Sequence, residues 1–77
     1  MIVHDILKLD VITQEWETIA STNKNFMLAL LIVEGLKMQH IYNCYAFKIK
    51  SHYGSYKRVY NCQTGQTEDY MEGLNYE

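Results

Sequence analysis

One segment limits what this chain can fold into. Phe26 to Val33 is an unbroken run of eight apolar residues, set behind Ser21-Thr22-Asn23 and followed by Gly35 and Lys37. Three residues that cap helices well ahead of such a run predict a helix over about 23–38. Phe26, Ala29, Leu30, Val33 and Leu36 form one stripe at helical spacing. Met27, Leu28, Leu31, Ile32 and Met38 carry the apolar surface well beyond the roughly 100° that a helix needs to lie on one sheet. The run is far short of the roughly 20 residues that span a bilayer, so no membrane role is expected. Gly35 suits either a C-cap or a tolerated interior position.

The flanks read as strands. Over 6–20 the pattern predicts a hairpin turning at Thr13-Gln14, or on a longer turn. Leu7, Leu9, Val11, Trp16 and Ala20 then share one face, with Lys8, Asp10, Glu15 and Glu17 on the other. Over 41–62 a second hairpin is expected, turning at His52-Tyr53-Gly54 with Gly54 left-handed. That register sets Phe47 opposite Val59 and Ile49 opposite Lys57. It gathers Tyr42, Cys44, Lys48, Lys50, Arg58, Tyr60 and Cys62 on one face. Thr64-Gly65 is a further turn signal, and Gln66 to Tyr70 a candidate edge strand. The expected fold is α+β: a ββαββ two-layer sandwich, one antiparallel sheet of four or five strands under a single helix. With 77 residues and no proline to mark a linker, residues 1–70 form one domain and 71–77 an acidic C-terminal tail.

The formal net charge of −2 hides a segregation. Residues 1–34 carry −3, residues 35–67 carry +5 with no acid at all, and residues 68–77 carry −4. Five of the seven tyrosines also fall in the basic segment. Cations interleaved with aromatics suit a single-stranded nucleic-acid platform, where rings stack on bases and lysines neutralise phosphates. They equally suit a protein interface anchored by tyrosine and arginine, or a sheet face made soluble by lysine. The candidate partner-binding residues are Tyr42, Lys48, Lys50, Tyr56, Arg58 and Tyr60. The acidic hairpin, Asp10, Glu15 and Glu17, is a second candidate contact for a basic partner. Met27, Leu28, Leu31 and Ile32 form a candidate homodimer interface, with Met38 at its rim.

Nothing in the sequence supports catalysis. Cys44 and Cys62 lie outside metal or redox spacing, and His4, His40 and His52 have no companions at ligand spacing. No glycine-rich loop could cradle a phosphate, so no enzyme activity, cofactor or metal is expected. With no leader-like N-terminus, a cytoplasmic protein with free thiols is expected. In size and element order, carried by the Leu7–Ala20 hairpin, the Asn23–Met38 helix and the Tyr42–Cys62 hairpin, the chain resembles small accessory proteins of phages and mobile elements. These include host-enzyme inhibitors and anti-CRISPR proteins. The resemblance implies a non-enzymatic module that occludes a host protein or protein–nucleic-acid complex, in the host cytoplasm. A small RNA or single-stranded DNA binder and a small-molecule sponge formed by a homodimer are the other two expectations.

Overall fold

In the computed structural model, which describes residues 1–39 and 45–71, the last three of them by backbone, one helix packs on a five-stranded antiparallel sheet. The elements are β1 (Val3–Leu9), β2 (Trp16–Thr22), α1 (Phe26–Lys37), β3 (Phe47–Tyr53), β4 (Tyr56–Asn61) and β5 (Gln66–Met71). Their spatial order is β2-β1-β3-β4-β5. The α+β expectation holds, with the optional fifth strand present. Tyr42, Cys44 and residues 72–77 of the expected 71–77 tail lie outside the described residues, while Met71, its first residue, ends β5.

The helix begins later than the cap-rich triplet suggested. Ser21 and Thr22 remain in β2, and Asn25 caps the helix, its Oδ1 accepting the Leu28 amide at 2.8 Å. Gly35 is interior, and the helix ends at Lys37 with Met38 as C-cap. The helix lies across β1, β2 and β3. Its expected inner stripe faces the sheet: Ala29 and Val33 are buried with Ile6, Phe47 and Ile49, and Phe26, Leu30 and Leu36 pack around them.

Both hairpins differ in register from the expected pairing. The first closes over Asp10–Glu15, where Asp10 Oδ1 accepts the amides of Ile12 and Thr13, and Gln14 takes a positive φ of 63°. Asp10 organises this turn as an Asx residue. Leu9 therefore pairs with Trp16 and Leu7 with Thr18. The sheet buries His4 and Ile6 toward the helix, so Leu7, Leu9 and Trp16 face the opposite side, the reverse of the expected placement. A bulge between Thr18 and Ala20 leaves Ile19 as the extra residue. Both Ile19 and Ala20 consequently reach the core.

In the second hairpin Gly54 is left-handed, as expected (φ 58°), but the loop is only Gly54-Ser55, with Tyr53 opposite Tyr56. Ile49 pairs with Tyr60 and Ser51 with Arg58. This shift by an odd number of residues turns every β4 side chain to the other face. Lys48 and Lys50 point away from the helix, whereas Arg58, Tyr60 and Cys62 point toward it.

Candidate interaction surface

The register divides the expected basic tyrosine face between two layers. On the helix side, the Phe26 ring gathers three partners. The Arg58 guanidinium lies 4.2 Å from its centroid, and His4 and Tyr60 meet it edge-on at 5.8 and 5.2 Å. Arg58 Nε is buried without a hydrogen-bond partner. Arg58 and Tyr60 thus support the packing of α1, and Tyr56 projects on the same side of the sheet. None of the three joins Lys48 and Lys50 on one surface.

The side of the sheet away from the helix is uncovered among the described residues. Leu7, Leu9, Trp16 and Val59 lie there half-exposed, interspersed with Lys48, Lys50, His52, Lys57, Asp5 and Glu68. Its charges are partly paired within the face. Lys48 Nζ sits 2.7 Å from Glu68 and 4.5 Å from the centre of the Trp16 ring. Glu68 also accepts from Asn61 Nδ2, and these contacts hold its carboxyl below the usual range. Asp5 accepts from Ser21 Oγ at 2.5 Å and meets His52 Nε2 at 2.9 Å. Burial opposes ionisation of Asp5, but the hydrogen bonds from Ser21 and His52 and the charges of His52 and Lys50 outweigh it, so its pKa is lowered.

The sheet edges offer little to a partner strand. Both edge strands, β2 and β5, carry a bulge, at Ile19 and at Glu68. Bulges twist an edge away from regular pairing. Docking is therefore left to the two faces.

The acidic hairpin is largely committed to its own structure. Asp10 holds the turn, and its amide contacts lower its pKa. Glu17 pairs with Lys8 at 3.2 Å. Glu15 is exposed at the end of the loop, its carbonyl accepting from the Asp10 amide. On the helix, Met27, Leu28 and Leu31 are exposed, but Ile32 packs against the core and leaves the expected dimer patch.

Two polar groups escaped sequence reading. His4 Nδ1 and Ser51 Oγ lie 2.6 Å apart between β1 and β3, 47 residues apart in sequence, so no local signal joins them. Ser51 is 1% and His4 6% exposed. A serine–histidine pair this enclosed gives no room for a substrate carbonyl beside the hydroxyl, and its role is to satisfy two buried groups. The described residues hold no cluster of three or more His, Cys, Asp or Glu that could bind a metal. Burial pushes the Cys62 thiol up to about 11, so it remains protonated and weakly nucleophilic at neutral pH.

The buried histidine makes the fold acid-sensitive. Burial, then the charge of Arg58, lower the His4 pKa below 6.5; Asp5 opposes them, and His52 adds a smaller lowering. The unfolded chain therefore binds more protons as pH falls through 6.5, and stability is lost progressively from there down through the folded pKa. The thermal midpoint is expected to drop between pH 7.5 and pH 5, in a window above the range in which carboxylates titrate (roughly pH 4). His4→Gln should flatten the curve in that window. An unchanged slope in the variant would assign the acid sensitivity to other groups.

No protein-family profile, no curated protein and no solved structure matches this chain. None of the described helices is long and apolar enough to cross a membrane.

Proposed function

We propose that the protein is a non-catalytic binding module that covers a surface of another protein with the open face of its sheet. The observation that carries this reading is the composition of that face. Trp16, Leu7 and Leu9 on β2 and β1 and Val59 on β4 are half-exposed on one face, interspersed with charges of which Lys48 pairs with Glu68 and Asp5 with His52. Apolar and aromatic anchors with a polar surround are what protein interfaces use. Among the described side chains Lys48, Lys50 and Lys57 outnumber Asp5 and Glu68 there, so the fitting partner surface is apolar with carboxylates among its contacts. Occlusion of a host defence or nucleic-acid-handling enzyme, the mode of the phage accessory proteins that the chain resembles in size and element order, needs no chemistry beyond this.

A single-stranded nucleic-acid platform is less well supported. Such a platform needs cations directed at phosphates beside exposed rings. Here Lys48 is engaged by Glu68 and Trp16, and the tyrosines of β4 lie on the other layer.

The test compares wild type with Val59→Glu/Lys50→Glu, two changes on the open face away from the helix-side core. Immobilised wild type is expected to retain a specific protein from the lysate of its natural host, and the variant to lose it with its thermal midpoint little changed (within about 2–4 °C). Neither should bind a labelled single-stranded oligonucleotide at low salt. Oligonucleotide binding with a steep salt dependence would replace this reading with the nucleic-acid one. Equal retention by wild type and variant would remove the open face as the contact.

A further inference from the structure

On the other layer, the outer surface of α1 combines three features that the monomer does not use. Met27 and Leu31 are 62% and 60% exposed, and Leu28 lies beside them at 36%. Gly35, one turn beyond Leu31, is exposed in the interior of the helix, and a Cβ built there meets nothing within 4 Å. Interior glycine costs a helix about 1 kcal/mol relative to alanine, and no packing among the described residues requires it. The charge at the start of the helix opposes its own dipole: Lys24 precedes the N-cap and the first turn carries no acid. The last turn holds both Lys37, which suits the dipole, and Glu34, which opposes it, 3.9 Å apart, with Glu34 69% exposed and open to a second cation.

These features are self-complementary. We infer that the outer face of α1 binds the same face of a second copy of this chain, the two helices running antiparallel about a two-fold axis outside the helix, at the level of Ala29 along it. In that arrangement Met27 lies against the second copy's Leu31, with Leu28 near the axis, and each contact occurs twice. Lys24 meets the second copy's Glu34 by the same symmetry. Antiparallel packing sets each N-terminus beside the other's C-terminus, so the lysine and the glutamate that oppose their own dipole complement the neighbour's. Gly35 falls opposite the second copy's Asn23, where a missing side chain lets the turn into the helix approach closely. This isologous pairing is the common form of a homodimer. It uses the layer opposite to the open sheet face, so a dimer would present two docking faces outward. A helix of 12 residues is about 18 Å long, and the contact falls short of the roughly 800 Å² per partner of a standard interface. The expected dissociation constant is micromolar.

Sedimentation equilibrium of the full chain across the micromolar range tests this. Wild type is expected to dimerise reversibly, and Leu31→Glu to weaken association at least about tenfold while keeping its far-ultraviolet spectrum and its thermal midpoint in dilute solution. Lys24→Glu and Glu34→Lys should each weaken the dimer, and the double reversal should restore it. Gly35→Leu should raise the thermal midpoint in dilute solution yet reduce association. A chain that is monomeric throughout the range, a dimer indifferent to Leu31→Glu, or a double reversal no better than either single change would each overturn the inference. None of these results bears on the sheet face, whose test is retention of a different protein.

Discussion

Phe47→Ala is expected to remove most of the stability of this fold, by about 3–5 kcal/mol. Phe47 is fully buried and is the largest side chain in the core, beside Ile6, Ile49, Ala29 and Val33. Its backbone also ties the sheet together, since its amide donates to Gln63 Oε1 at 3.1 Å and its carbonyl accepts from the Cys62 amide. The backbone bonds can survive the substitution, but the ring volume cannot be refilled by neighbours already held between helix and sheet. A domain this small stands near the lower end of the usual range of roughly 5–15 kcal/mol, so the variant should be substantially unfolded at physiological temperature. Urea titration would show the midpoint collapse with little change in slope. The control is Leu31→Ala, whose side chain is exposed on the helix and whose loss should shift stability by no more than about 0.5 kcal/mol in dilute solution. A loss below about 1 kcal/mol at Phe47 would mean that β3 presents its other face to the helix.

The β3 and α1 faces were legible because their patterns have one solution. Phe47 and Ile49 alternate with Lys48 and Lys50, and the stripe through Ala29 and Val33 is the densest on the helix. The orientation of β4 was not legible. Gly54 serves equally in a three-residue turn ending on it and in the two-residue Gly54-Ser55 loop that forms, and the difference is an odd shift. The side chains of β4 cannot arbitrate. Tyrosine and arginine place an apolar body in the core as readily as a polar tip in solvent, so Arg58 and Tyr60 read as surface anchors while they serve as packing. The same ambiguity affected β1, where Leu7 and Leu9 alternate as well as Ile6 does. The long side chain of Lys8 allows it to remain on the helix side, with its ammonium 4.6 Å from the Tyr45 ring and paired to Glu17.

Charge segregation along the sequence, from −3 through +5 to −4, gave the right ingredients for the surface but the wrong partition. Antiparallel pairing brings segments of opposite sign together: β5 delivers Glu68 to Lys48, and β1 delivers Asp5 to His52. The basic segment is thereby partly neutralised within its own sheet, at Lys48, a consequence of register that no count along the chain could show. The same pairing brought His4 to Ser51, leaving a buried polar contact where the sequence offered two unrelated residues.

Phe26→Ala should be the second most damaging change, at about 3 kcal/mol, near the lower limit for phenylalanine because the ring is only partly buried. The ring is the meeting point of His4, Tyr60 and Arg58. Edge-on aromatic pairs each contribute about 0.5–1.5 kcal/mol beyond burial, and a guanidinium over a partly desolvated ring about 1 kcal/mol. Phe26→Leu restores much of the apolar volume and none of the ring geometry, so it should recover roughly half of the loss. The position of the damage separates this account from a general loosening of the helix. Amide hydrogen exchange should quicken along β4 while the central pairing of β1 with β3 stays protected. Water admitted beside His4 should move its pKa back toward 6.5, a change readable from the imidazole proton shifts. If exchange quickened uniformly and the His4 titration did not move, Phe26 would be an ordinary apolar contact, and the orientation assigned to Arg58 and Tyr60 would have to be abandoned.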